Sequence, residues 1–100
     1  MLPHKGKTLI IAELSANHNN DFDLAVKTIE AMAGAGADAV KIQTYKPESL
    51  TLDMDTGFFA PKTQGLWKGY TPWKLFQQAA MPYEWQPKLK IIAENLGLVF

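Results

Sequence analysis

Residues 8–13, Thr8-Leu9-Ile10-Ile11-Ala12-Glu13, form an apolar run of strand length closed by a carboxylate. Continuous rather than alternating apolar character predicts a strand covered on both faces, as in parallel sheets. Its period of two puts Glu13 on the face of Leu9 and Ile11. From Phe22 the apolar positions recur at Ala25, Val26, Ile29, Met32 and Ala33, the spacing of an amphipathic helix. Asn20 or Asp21 can cap that helix, and Asp21 and Asp23 suit its positive end. Gly34 and Gly36 supply the stop. Val40-Lys41-Ile42-Gln43-Thr44-Tyr45 then reads as a second strand, with Lys41 and Gln43 on one face and Val40 and Ile42 on the other. Strand, helix and strand with short links predict one βαβ unit, two parallel neighbours joined by a right-handed crossover.

Residues 46–81 follow no such period. Pro47, Gly57, Pro61, Gly65, Gly69 and Pro72 interrupt any long element, while Phe58, Phe59, Trp67, Tyr70 and Trp73 make the segment too aromatic for a disordered linker. A connection of this length points to a functional loop. Within it, residues 71–80 read as a short helix with Thr71 as cap and Pro72 at its first position. Residues 83–96 read as another, with Trp85, Leu89, Ile92, Ala93 and Leu96 on one side. Pro87 is compatible with a start near Glu84, because the first four amides of a helix lack intrahelical partners. Gly97 stops it and Leu98-Val99-Phe100 begins a further strand. The order β-α-β-long loop-α-β is α/β, and it predicts the opening part of a larger α/β protein rather than a finished domain. Residues 1–7 are polar, with Pro3 and Gly6, and read as a loose or edge segment.

Composition narrows the class without changing this outline. One hundred residues, 47% hydrophobic and 20% charged, are ordinary for a soluble globular domain. Ten Lys+Arg balance ten Asp+Glu, so no net field argues for nucleic acid or an acidic membrane surface. Without cysteine there is no disulfide framework, thiolate nucleophile or Cys-ligated zinc. That fits a cytoplasmic protein. The run ending at Glu13 is too short for a signal peptide, and no window approaches the ~20 apolar residues of a membrane helix.

The candidate chemistry clusters where the first two strands end. In α/β barrels the active site lies at the C-terminal ends of the strands and in the loops that follow, where Glu13, Asn17, His18, Lys41, Gln43 and Tyr45 fall. On a central strand the Lys41 ammonium would be buried, which is costly without an anion. Glu13 can be that anion, as a structural ion pair. A phosphate or carboxylate ligand is the alternative, with Glu13 paired to Lys41 or acting on a proton, and Gln43 orienting a polar substrate. Buried ion pairs stabilise folds poorly, which favours the ligand. His18 can be a ligand or proton donor beside Asn17, or a helix-start histidine bonded to the loop backbone. One histidine is a weak metal signal, and His4 reads as tail. Gly34-Ala35-Gly36 follows a helix and precedes a strand, the wrong order for a phosphate-binding loop. Trp67, Tyr70 and Trp73 can line a pocket or lid, or simply anchor the long loop on a barrel rim. Glu48, Asp53 and Asp55 read as solvated.

Two stretches carry a resemblance. Ile10-Ile11-Ala12-Glu13-Leu14-Ser15-Ala16-Asn17-His18 and Ala35-Gly36-Ala37-Asp38-Ala39-Val40-Lys41-Ile42-Gln43-Thr44 resemble the start of the sialic acid synthases. The form Ala-Glu-Leu-Ser-Ala-Asn-His is more similar to the pseudaminic acid branch than to the N-acetylneuraminate branch, where Glu-Ile-Gly-Ile-Asn-His is usual. Gly65-Leu66-Trp67 and Pro82-Tyr83-Glu84-Trp85 look like the same branch. The resemblance implies the N-terminal part of a TIM (β/α)8 barrel. The rest of the barrel and a C-terminal antifreeze-like domain would lie outside these 100 residues.

It further implies a phosphoenolpyruvate-dependent transferase condensing that substrate with an acylated amino sugar, and a homodimer. The acceptor of the pseudaminic branch is 2,4-diacetamido-2,4,6-trideoxy-altrose; N-acetylneuraminate and legionaminate synthases use other N-acetyl amino sugars. Glu13 and Lys41 match positions lining the phosphoenolpyruvate site, Gln43 one near the acceptor, and Asn17 and His18 the Asn-His pair after the first strand. Tyr45 is placed with the substrate-binding residues. A divalent metal, typically manganese, is implied with histidine ligands beyond residue 100, so no metal ligand is assigned within the chain. Two other classes stand beside this one: a non-catalytic binding or assembly module, and an aldolase forming a Schiff base on Lys41.

Overall fold

The structure, a computed structural model, describes residues 6–100. The expected loose segment 1–7 therefore lies outside the described residues except for Gly6 and Lys7, as does the tail histidine His4. The elements are β1 (Ile11–Ser15), α1 (Phe22–Gly34), β2 (Ala39–Ile42), α2 (Pro72–Ala79) and α3 (Trp85–Asn95), with 3-10 turns at Pro47–Ser49 and Gly57–Phe59. They fall into two units. One comprises residues up to Thr44 together with Met81–Phe100, the other Tyr45–Ala80.

In the first unit β1 and β2 pair in parallel, with Ile11 opposite Ala39, Ala12 opposite Val40 and Glu13 opposite Lys41. The register then slips, so that Ser15 faces Ile42. Ser15 has φ of 52°, a left-handed conformation that costs a non-glycine residue and marks the slip. Beyond it β1 turns away. That is why β2 ends at Ile42 and not, as expected, at Tyr45. At the other end the Asp38 carboxylate accepts the Ile10 amide at 2.9 Å, and Ile10 C=O accepts the Asp38 and Ala39 amides at 2.9 and 3.1 Å. The ladder thus begins at Ile11, not at Thr8. Residues 98–100 form less than the strand expected of them. Val99 makes a single parallel bridge to Ala39, with Val99 N–H donating to Asp38 C=O at 3.0 Å and Val40 N–H to Val99 C=O at 2.9 Å.

Among the described residues only one face of this sheet is covered, where two were expected. Leu14 and Val40 are buried with Ala25 and Ile29 of α1, Leu89 and Ala93 of α3, and Met81 and Leu98. Ile11, on the opposite face, is 52% exposed. The amphipathic stripe read from the sequence is what brings α1 to the sheet. Its cap is Asp21, whose Oδ1 accepts the Leu24 amide at 3.1 Å. The helix ends at Gly34, and Gly36, with φ of 91°, makes the left-handed turn into β2 that a side chain would resist. In α3, Pro87 is the third residue of a helix that starts at Trp85, where its missing N–H forfeits no helical bond.

The second unit is built on its predicted helix. Pro72 opens α2 and the Thr71 hydroxyl accepts the Lys74 amide at 3.2 Å. The Pro47–Ser49 turn packs on this helix. Tyr45 meets Phe76 edge to face at 6.1 Å, and Trp67 meets Tyr70 likewise at 6.2 Å. Lys62 and Lys68 form an isolated parallel bridge. Trp67 and Tyr70 thus pack on each other within the long loop. Among the described residues no helix is long and apolar enough to cross a membrane.

The core makes a direct prediction. Ile29 is fully buried, so Ile29→Ala in the complete protein should lower unfolding free energy by about 2–5 kcal/mol. Urea denaturation measures this; a loss below about 1 kcal/mol would show that α1 does not seal the sheet.

Candidate functional site

The pairing of Glu13 with Lys41 across β1 and β2 places both side chains on the uncovered face, since their neighbours Leu14 and Val40 point into the core. Lys41 Nζ lies 3.5 Å from Glu13 Oε2. The two side chains are 58% and 51% exposed, which corrects the expectation of a buried ammonium. The physical reason is the open face, because no described residue covers it. An ion pair this wet stabilises a fold by about 1 kcal/mol at most. Charge-assisted N–H···O bonds are shorter, about 2.7–2.9 Å, so Glu13 does not hold the ammonium tightly. With three donors, Lys41 has N–H groups to offer a second anion.

Beside the pair lies an open hollow of about 440 Å³, lined mostly by apolar side chains such as Leu9, Ile11, Val99 and Phe100, with Gln86 of α3 as its polar and Lys41 as its charged member. A cation at the edge of an apolar hollow suits a small anion with an apolar body. The pattern of the sequence located Lys41 but not this hollow, which depends on Val99 and Phe100 returning beside β2.

The other candidate residues separate. Gln43 follows β2 directly and is exposed. Asn17 is exposed in the turn after β1, its amide donating to Leu14 C=O at 3.0 Å. Tyr45 opens the second unit and packs on Phe76. His18 is fully buried. Its Nδ1 accepts the Asn20 amide at 3.0 Å, the backbone-bonding geometry that was one of its two readings. Its ring meets Trp85 of α3 edge to face at 5.4 Å. Burial pulls its pKa below the ordinary 6.5, and an accepting Nδ1 requires the neutral ring. Nothing in the sequence pattern signalled the His18–Trp85 contact, which joins residues 67 positions apart.

Among the described residues no three His, Cys, Asp or Glu side chains converge as cation ligands, and the Nδ1 of His18 is already engaged. These residues do not fit a divalent metal site.

Comparison with known proteins decides the family. The NeuB family model matches residues 28–100. The chain belongs to the NeuB family. Among NeuB relatives, it is 47% identical over 93 residues to the pseudaminic acid synthase of Campylobacter jejuni serotype O:2, covering 93% of this chain and 27% of that protein. It is 43% identical over 90 residues to the pseudaminic acid synthase of Helicobacter pylori, covering 89% of this chain and 26% of that one. A Campylobacter jejuni N,N'-diacetyllegionaminic acid synthase is 56% identical over 43 residues, 43% of this chain and 13% of its own length. The chain thus spans about a quarter of the length of the pseudaminic acid synthases it matches.

The site yields two expectations. Lys41→Ala should leave the stability of the complete protein within about 1 kcal/mol of wild type, as read by urea denaturation; a larger loss would make the pair structural. Stability should also fall as pH drops below 6.5. With its folded pKa lowered, His18 binds a proton more readily in the unfolded chain, so the unfolded state is favoured between the two pKa values. Thermal melts from pH 8 to pH 5 check this, and a melting temperature that His18→Asn does not flatten in that window would contradict it.

Proposed function

We propose that this chain is the N-terminal part of a (β/α)8-barrel synthase. It condenses phosphoenolpyruvate with 2,4-diacetamido-2,4,6-trideoxy-altrose to give pseudaminic acid and phosphate. What carries the reading is the exposed Glu13–Lys41 pair at the end of two adjacent parallel strands, in a chain 47% identical to a pseudaminic acid synthase over 93% of its length. The share of that relative covered, 27%, supports a longer protein whose further strands close the barrel over the open face.

In this reading C3 of phosphoenolpyruvate attacks the sugar aldehyde, forming the new C–C bond, and the aldehyde oxygen takes up a proton. Water adds at C2, the C2–O bond to phosphorus breaks, and phosphate leaves, so the product is a 2-keto acid. Lys41 neutralises the phosphate or carboxylate of phosphoenolpyruvate, which no apolar hollow can do alone. Glu13 lies beside the ammonium without holding it tightly and is available to a proton. Gln43 and Asn17, both exposed near the strand ends, supply polar contacts to the sugar. Closure of the barrel would exclude water from the pair and strengthen its field on the substrate. A divalent cation, held by residues outside this chain, would supply Lewis-acid chemistry. Homodimerisation belongs to the same proposal, as does a cytoplasmic location.

The match to a legionaminic acid synthase, 56% over 43 residues, favours a related acceptor as the second reading. The test assays phosphate release by the complete protein with manganese, phosphoenolpyruvate and each acceptor. Release with the altrose sugar is expected; release only with N-acetylmannosamine or the legionaminate precursor would move the protein to another branch. Lys41→Ala should lower kcat/KM for phosphoenolpyruvate by at least ~10²-fold, the scale of losing one preorganised charge. A near wild-type rate would remove Lys41 from the site.

A further inference from the structure

The turn between β1 and α1 is strained and short. Ser15, Asn19 and Asn20 have φ of 52°, 49° and 53°, three left-handed non-glycine residues within six positions. Such conformations persist only where the surroundings over-determine them. Two amides of the turn are fixed by main chain, Asn17 N–H on Leu14 C=O at 3.0 Å and Asp21 N–H on His18 C=O at 2.8 Å. A side chain fixes the third, since Asn20 N–H donates to His18 Nδ1 at 3.0 Å. His18 is itself immobilised, with no exposed surface, against Trp85, which also meets Phe22 edge to face at 5.4 Å. The imidazole therefore ties the segment that leaves Glu13 and carries Asn17 to α1 and α3. Its Nε2 is buried without a hydrogen-bond partner among the described residues, so neither ring nitrogen is presented to a ligand.

We infer that His18 is a positioning residue for the phosphoenolpyruvate site: its neutral Nδ1 locks the turn that sets Asn17 and the bulged end of β1 behind Glu13, and it does not touch substrate. The inference rests on the synthase reading above for its kinetic consequence, though not for its structural one. The ionisable groups on the packed elements are the cap Asp21 with Asp23, Lys27 and Glu30 along α1, and the cap Glu84 with Lys88, Lys90 and Glu94 along α3. Asp21 is engaged with the Leu24 amide and Lys88 lies over the Phe22 ring at 5.9 Å. Burial, rather than any of these charges, is what lowers the His18 pKa. Protonation would convert the Nδ1 acceptor to a donor and release the Asn20 amide.

The test uses the complete protein with His18→Asn and His18→Leu. The Asn Oδ1 reproduces the Nδ1 acceptor and does not titrate; Leu fills the apolar site without accepting. At pH 7.5, His18→Leu should raise KM for phosphoenolpyruvate about tenfold or more, the scale of losing fixed geometry, with kcat changed less. His18→Asn should stay within about threefold of wild type. The wild-type KM should rise as pH falls below 6.5 through the ring's lowered pKa, and the KM of His18→Asn should not. Equal loss of activity in both variants would overturn the inference, because it would mean that the ring itself meets substrate. So would a wild-type KM in His18→Leu. Amide hydrogen exchange at Asn20, read in the same proteins without substrate, should be slow in wild type and His18→Asn and at least tenfold faster in His18→Leu. Equal exchange in all three would overturn the lock even if the protein turned over no phosphoenolpyruvate. Failure of turnover with the exchange pattern intact would fall on the synthase reading alone.

Discussion

The structure depends on the register of β1 against β2. Because side chains alternate along a strand, one register decides at once which residues build the core and which remain free for chemistry. With Ala12 opposite Val40, Leu14 and Val40 meet α1 and α3, and Glu13 and Lys41 are left side by side on the other face. A slip of one residue would exchange the two sets, burying an ammonium and a carboxylate under the helices and exposing the core. Desolvating those charges is far costlier than any gain from their pairing. The burial of Leu14, Ile29 and Leu89 is thus the force that presents Lys41 to solvent.

The second consequence of that register is directional. Parallel strands joined by a helical crossover end on the same side, so both charged residues and the turn carrying Asn17 and His18 collect at one edge. The slip between Glu13 and Ser15 ends the ladder immediately after the pair, freeing the next residues to turn. His18 then converts a polar, strained turn into a fixed one through a single acceptor nitrogen. Core packing, register and site are one chain of causes, in which Trp85 takes part although it lies on the last helix.

Much of this was legible in the residues. The 3.6-residue stripe from Phe22, a cap at Asn20 or Asp21, the Thr71–Pro72 start of α2 and the position of Pro87 all act locally, so they could be read from the sequence; that Asp21 is the cap came from the structure. The Glu13–Lys41 pairing was legible too, because two strands and their crossover suffice to set it. What the pattern misjudged was environment. The apolar run at Leu9–Ile11 reads as doubly covered, yet one face of that strand is open among the described residues, and the ammonium expected to be buried is wet. Strand lengths were also overestimated, since a residue of strand character needs a partner: Thr8 has none opposite β2, and Gln43 lies past the slip at Ser15. The hollow beside Lys41 and the seating of His18 on Trp85 arise from contacts distant in sequence, which periodicity does not encode.

Taken together, an exposed cation held loosely by one carboxylate, an apolar hollow beside it, and membership of the NeuB family support an anion-binding role for Lys41 over a structural one. Equilibrium binding of phosphoenolpyruvate tests that most directly, without acceptor sugar and therefore without turnover. Isothermal titration of the complete protein should give a Kd that Lys41→Met raises at least tenfold while its urea midpoint stays near wild type. An unchanged Kd in Lys41→Met would contradict the account.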